Sequence, residues 1–322
     1  MLLSRVADSL YWISRYLERA EHTARLMDVR LDLGLDRQHA DDGWNFDRLY
    51  AALRVSSPVE TPSSPGTLID ALIFDPDNDE SVLRSITAAR ENARQVREEI
   101  STDMWEQINA LFLRVKQARS EGTWSMRPHY ICRMVIDGVH LFDGVTDATM
   151  THGEAWHFCQ LGRMLERADK TSRILDVKYF ILLPKVSDVG TPFDDIQWLA
   201  LLRSASALEM YRQRHGQISP PNVVNFLVLD REFPRAVLHC LTRANESLHA
   251  ISGTYTGSYS NLAERRLGQL RAELAYTHAE DVIAGGLHEF VDNLQCRLNL
   301  IGDSIHDSFF AMRPLETAGS RR

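Results

Sequence analysis

An all-α fold of about a dozen helices is predicted by three observations. Apolar residues recur at spacings of three and four along most of the chain. No run shows sustained alternation with β-branched enrichment, the mark of a strand. Gly (17) and Pro (11) are scarce in 322 residues, so turn chemistry is thin. Apolar residues make up 44% and charged residues 25%, which excludes a disordered or collagen-like chain.

Residues 3–33 form the first predicted helix. Val6, Leu10, Ile13, Leu17, Ala20, Ala24, Met27 and Leu31 fall on one face of it. Residues 79–99 follow, with Asp79 as N-cap, and 103–120 after a Ser-Thr-Asp break. Residues 128–149 and 152–183 read as long helices. Ser219 before Pro220 and Pro221 opens a helix to about 229, since proline suits a first turn. Pro234 opens another to about 251. Asn261 with Glu264 is a capping box for a helix to about 278. Gly285-Gly286 interrupts or precedes a last long helix ending near Met312. Val55–Gly66 and Pro184–Asp195 read as loops, and the tail from Pro314 as frayed.

The chain repeats itself. Residues 13–29 (ISRYLERAEHTARLMDV) and 161–177 (LGRMLERADKTSRILDV) share nine of 17 positions at an offset of 148. The same offset aligns Gly138, His140 and Phe142 with Gly286, His288 and Phe290. An offset of 149 aligns Ala51, Leu53 and Arg54 with Ala200, Leu202 and Arg203. Such self-similarity predicts tandem pseudo-symmetric repeats, 1–150 and 151–322, in one compact body.

The repeated helix carries Arg15, Glu18, Arg19, His22 and Arg25 opposite its apolar stripe, interleaved with Tyr11, Trp12, Leu26 and Val29. The second copy carries Arg163, Glu166, Arg167, Lys170 and Arg173, with Trp156, Ile174 and Val177. A solvated face does not usually keep large apolar residues between its charges, so both faces of this helix are expected to be covered. One reading is structural, with Glu18 paired to Arg15, Glu166 to Arg163 and Glu21 to Arg25 along the helix. The other is a binding site, in which guanidinium forks grip carboxylates or phosphates. Only four of the 36 basic residues are lysines. Arg15, Arg19 and Arg25 recur as Arg163, Arg167 and Arg173, which points to the guanidinium fork rather than to positive charge in general.

The opening SRVADSLYWISRYLERAEHTARLMDV, the second LGRMLERADKTSRILDV and the closing GLHEFVDNLQCRLNLIGDSIHDSFF resemble the bacterial alpha-E domain family over nearly the whole chain. The resemblance implies an all-α domain with characteristic glutamates, here Glu18 and Glu166, each followed by an arginine, Arg19 and Arg167. His152 and Lys170 depart from the family pattern. Members are usually encoded beside, or fused to, a circularly permuted ATP-grasp protein and a transglutaminase-like protein. That context implies a system that makes, attaches or trims a peptide or amide. The duplicated charged face and the absence of any nucleotide motif point to a non-catalytic partner or scaffold subunit, with peptide or carboxylate binding open to it, and the resemblance implies that it serves such a system. An enzyme with a central Glu/Arg cleft, acting on a peptide or amide, is the alternative.

Other features bound the function. The last helix has a polar stripe of His288, Asp292, Gln295, Asn299, Asp303 and His306, either an exposed edge or the wall of a central cleft. Glu154/His157 and Glu246/His249 have the spacing of a di-metal bundle, a weaker alternative because chance supplies such pairs. No metal site and no cofactor is expected. Trp124 to Tyr130 reads as an aromatic-basic helix entry. No Walker A loop, G-x-G-x-x-G or G-x-S-x-G elbow occurs. The net charge of −8 argues against nucleic acid as a partner. No apolar stretch is long enough for a membrane span, and the first residues lack a signal-peptide core. Cys132, Cys159, Cys240 and Cys296 form no CxxC pair and are expected as buried free thiols of a cytoplasmic protein. The sequence leaves a homo-oligomer open.

Overall fold

The computed structural model describes residues 2–35, 65–122, 124, 127–181 and 192–311. Among these there are thirteen α-helices and no strands, an all-α bundle. Of the expected loop at 55–66, residues 55–64 lie outside the described residues and Pro65 and Gly66 open a short helix; most of the loop at 184–195, the tail from Pro314 and residues 51, 53 and 54 also lie outside them.

Helix α1 spans Ser4–Leu35 and α6 spans Glu154–Ile181. These two carry the repeated motif, and they pack on each other at the centre of the molecule. Around α1 stand α3 (Val82–Gln95) and α5 (Pro128–Thr149), with α4 (Thr102–Glu121) across both. Around α6 stand α10 (Val237–Ser252) and α13 (Leu287–Ile305), with α11 (Leu262–Ala275) across both. Short pieces complete the bundle: α2 (Pro65–Ile69), α7 (Pro192–Ser204), α8 (Leu208–His215), α9 (Pro220–Val224) and α12 (Ala279–Gly285). Three π-helical turns, Asp70–Phe74, Asn225–Leu229 and His306–Phe310, extend α2, α9 and α13.

Local chemistry explains the boundaries. The Ser81 and Ser101 side chains accept from the Arg84 and Met104 amides at the starts of α3 and α4. The cap of α3 is therefore Ser81 rather than Asp79. Asn261 accepts from the Glu264 amide at 3.0 Å, while the Glu264 carboxylate accepts from the Ser260 amide, one residue earlier than in a simple capping box. Ser219 holds the N-cap position of α9 but its side chain makes no capping bond. α10 begins at Val237, because Phe233–Ala236 form a turn first. Helix α7 starts at Pro192, inside the expected loop, and α2, α8 and α12 carry no apolar periodicity long enough to announce them.

α1 and α6 are hubs because other helices cover every side of them. The expected stripe from Leu10 to Leu31 is buried, with Val6 partly so. The opposite face, with Ser14, Glu18, Glu21, His22 and Arg25, is buried as well. Where α1 and α6 cross, Gly162 meets the Tyr11 carbonyl. A Cβ at Gly162 would lie 2.2 Å from that oxygen. Cys132, Cys159 and Cys240 are buried free thiols, but Cys296 is exposed on the outer side of α13. No helix among the described residues is long and apolar enough to cross a membrane.

Candidate functional site

The α1–α6 interface buries an ion network built from the repeated motif. The sequence suggested ion pairs along each helix, Glu18 with Arg15 and Glu166 with Arg163. The structure pairs them across the interface instead. Arg167 of α6 grips Glu18 of α1 with both ends of its fork, Nε to Oε1 at 2.8 Å and Nη2 to Oε2 at 2.7 Å. Reciprocally, Arg15 and Arg19 of α1 donate to the two oxygens of Glu166 at 2.6 and 2.9 Å. Bidentate and paired guanidinium bonds of this kind are strong and directional. The carboxylates of Glu18 and Glu166 are only 2% and 1% exposed, so both ends of the clamp are sealed from solvent.

The predicted i,i+4 pair does form, with Arg25 donating to Glu21, and a pair not predicted joins Arg173 to Asp169 through Nε and Nη2 at 2.7 and 2.9 Å. Arg25 also reaches the Ser206 hydroxyl, between α7 and α8. Ser206 has a φ of 51°, the only positive value for a non-glycine among the described residues. Arg163 turns away from Glu166 to Asp143 at 2.9 Å and Asp147 at 3.5 Å, both on α5.

Three network members escaped the sequence reading. Glu80, just before α3, accepts from Lys170 at 2.7 Å. Arg235, just before α10, donates to Glu18 at 3.1 Å and Glu21 at 2.6 Å. Asp143 receives Arg163. Thr23 holds the Glu80 carbonyl at 3.1 Å and Thr171 holds the Arg235 carbonyl at 2.9 Å. Both threonines belong to the repeated motif. The available signal was the shared run of a charged residue, a small residue and Val-Leu, in Glu80–Leu83 and Arg235–Leu238.

The electrostatics follow from burial and pairing. Burial pushes the Glu166 carboxyl upward, but Arg19, Arg15 and Lys170 outweigh it and hold it well below the usual carboxylate range. For Glu21, burial is likewise outweighed, by Arg235, His140 and Arg25. Asp143 goes the other way, raised because burial exceeds the pull of Arg163 and Arg167. His22 is held neutral, its pKa well below the usual imidazole value, first by burial and then by Lys170, Arg235 and Arg173 against the opposing pull of Glu21. Among the described residues its Nε2 has no hydrogen-bond partner.

His22 gives a pH prediction. Its folded-state pKa is depressed below the unfolded value of about 6.5. Its contribution is therefore fully present above that value and is lost as pH falls, because the unfolded chain takes up the proton first. Thermal melts should show a Tm that drops from pH 7 to pH 5, and a His22→Gln variant should show a shallower drop. Equal slopes would contradict the assignment. The part due to His157, also lowered by burial, persists in both proteins.

The polar stripe of α13 divides. His288 bonds Asp176 of α6 at 2.8 Å, as His129 of α5 bonds Asp28 of α1 at 2.8 Å. His140 instead meets Glu21 at 3.2 Å. The contact that parallels His288 is therefore made by His129, not by the residue at the 148 offset. Gln295 is buried, and Asp292 is exposed on the outer side. Asn299, Asp303 and His306 line a cleft of about 440 Å³ between α13, α1 and α6. Arg15 and Trp12 face them, with the Arg15 guanidinium 4.8 Å from the Trp12 ring centre. Of the sequence-predicted residues, Arg15, Glu18, Arg19, Glu166 and Arg167 meet in the closed core, and Arg15 and His306 share the cleft. Arg25 and Arg163 join the same network through Glu21 and Asp143, Arg173 pairs with Asp169, and His288 and Asp292 lie elsewhere.

The remaining motifs do not build sites. Trp124 packs on Phe74 at 5.6 Å, and Tyr130 is exposed. Glu154 accepts from the Leu2 amide and Glu246 pairs with Arg243, so the two Glu-x-x-His pairs are occupied on separate helices. Among the described residues no three metal-ligating side chains gather.

Comparison with known proteins adds the following. A family model described as a predicted alpha-helical domain with a conserved ER motif matches residues 2–310. An uncharacterized protein of Mycobacterium bovis and two of Mycobacterium tuberculosis are each 25% identical over 352 aligned positions, covering 99% of this chain. The chain spans only 39% of the length of each of these relatives. No solved structure matches.

Proposed function

The chain belongs to the Alpha-E family, and from that premise we propose that it is a non-catalytic partner or scaffold subunit of an ATP-grasp/transglutaminase-type system that forms amides or peptides in the cytoplasm. One observation carries the reading. The glutamates of both Glu-Arg pairs are saturated by guanidinium groups and sealed from solvent. A general acid needs a proton to give and a path to substrate. Glu166 is held ionised, and among the described residues neither glutamate lines the cleft between α1, α6 and α13. The alternative, an enzyme using these glutamates on a peptide or amide, has less support for that reason.

The mycobacterial relatives carry much more chain than the matched region. This supports association between a domain of this kind and a further protein unit. The reciprocal Glu-Arg contacts, the two threonine-held carbonyls and the two Asp–His pairs support reading 1–150 and 151–322 as tandem repeats.

Co-expression with the circularly permuted ATP-grasp protein of the same genome tests the proposal. The two should co-elute in size-exclusion chromatography at about 1–10 µM, the affinity of an ordinary specific complex. Independent elution of two folded proteins at those concentrations contradicts it.

A further inference from the structure

The two halves of the network treat their first arginine differently. On one side, Arg163 of α6 faces α5, where Asp143 and Asp147 neutralise it. On the other side, Arg15 of α1 faces α13. The paired contacts His129–Asp28 and His288–Asp176 fix which residues of α5 and α13 correspond. Gly302 stands as far from His288 as Asp143 does from His129, and His306 as far as Asp147. Both acids of α5 are thus missing from α13, and the cleft lies in their place, with Arg15, Gly302 and His306 in its lining.

Arg15 is left with capacity. It has five N–H donors, and among the described residues it uses one for Glu166 and one for the Tyr11 hydroxyl. Glu166 divides its charge between Arg15 and Arg19, with Lys170 also 3.7 Å away. Asp169, the other acid in the depth of the cleft, has both oxygens taken by Arg173, and Asp303 stands exposed on the rim. The molecule itself shows what this position accepts, because at Arg163 it is a carboxylate.

We propose that the cleft between α1, α6 and α13 binds a ligand carboxylate against Arg15, in the place that Asp143 fills beside Arg163. Trp12, Leu165, Leu298 and Phe310 give the cleft an apolar wall for the body of the ligand. Asn299 and Asp303, exposed on the rim, offer partners for an amide N–H next to the carboxylate. The ligand class is a monocarboxylate with an apolar body, either a free acid or the C-terminus of a peptide. This adds a ligand to the partner or scaffold role proposed above, and rests on that role only where the carboxylate belongs to a peptide. Its test needs no ATP-grasp partner, so the two proposals fail separately.

Gly302 supplies the decisive variants. Among the described residues a Cβ built there meets only Arg15, 3.9 Å from Nη1, so a short side chain fits and aims at the guanidinium. Gly302→Asp should install the missing carboxylate, and Gly302→Asn an uncharged group of the same shape. Gly302→Asp should melt at higher temperature than Gly302→Asn. An equal or lower Tm overturns the claim that Arg15 lacks the second carboxylate that Asp143 gives Arg163. Binding is then read on the full chain from the Trp12 indole N–H signal in ¹⁵N-labelled protein, identified by its loss in Trp12→Phe. The probes are N-acetyl-leucine, 4-methylpentanoate and N-acetyl-leucinamide. Both carboxylates should shift the signal saturably, and the carboxamide should bind about tenfold more weakly or worse, as loss of a charged hydrogen bond requires. Gly302→Asp should abolish the shift. N-acetyl-leucine binding more tightly than 4-methylpentanoate identifies a peptide terminus, and equal binding a free acid. No shift from either carboxylate at about 10 mM, or an equal shift from the carboxamide, overturns the proposal.

Discussion

Glu166→Gln is expected to destabilise the fold by about 3–5 kcal/mol, the cost of removing one partner from a buried ion cluster. The amide keeps the shape of the carboxylate and discards its charge. Arg15 and Arg19 then face each other and Lys170 in a sealed interface with one anion fewer. Urea denaturation measures the loss as a lowered midpoint, and an unchanged slope shows that the native state is otherwise intact. A variant as stable as the parent would mean that Glu166 is kept for something other than holding α1 to α6.

The second large effect is at Gly162. Gly→Ala inside a helix ordinarily stabilises by about 0.5–1 kcal/mol. At Gly162 the sign reverses, because the new methyl would lie 2.2 Å from the Tyr11 carbonyl oxygen. That atom is backbone and cannot rotate away, so α1 and α6 must separate and every bond of the clamp lengthens. Gly162→Ala should cost about 3 kcal/mol, the upper part of the range for overpacking. Gly144→Ala in α5 is the control, since among the described residues a Cβ there meets nothing within 4 Å. It should stabilise, and Tm values for the two variants should move in opposite directions. A neutral Gly162→Ala would mean that the crossing is looser than described.

Much of this was legible in the sequence. The 3.6-residue period located the long helices, and Pro128–Thr149 matches its predicted range. The mixture of charge and bulk on α1 announced a helix covered on both sides, which the burial of Glu18, Glu21 and Met27 bears out. The pairing was not legible. Local spacing favours Glu18 with Arg15, one turn away, but burial between two helices lets Arg167 reach it from α6 with two bonds. Long-range geometry decides such a contest, and periodicity carries no information about it. Glu80 and Arg235 were missed because the run they share, a charged residue before a small residue and Val-Leu, does not by itself mark a side chain as turned inward. The 148 offset led to His140 as the counterpart of His288. The structure places His129 there, because α5 and α13 do not keep the spacing that α1 and α6 keep.

The central claim is that the Glu-Arg motif clamps α1 to α6. A double-mutant cycle on Glu18→Gln and Arg167→Met tests it most directly, with unfolding free energies of the parent, both single variants and the double variant. A clamp predicts a coupling of about 2–3 kcal/mol, the upper range for residues that share a buried ion pair. Additivity within about 0.5 kcal/mol would contradict it.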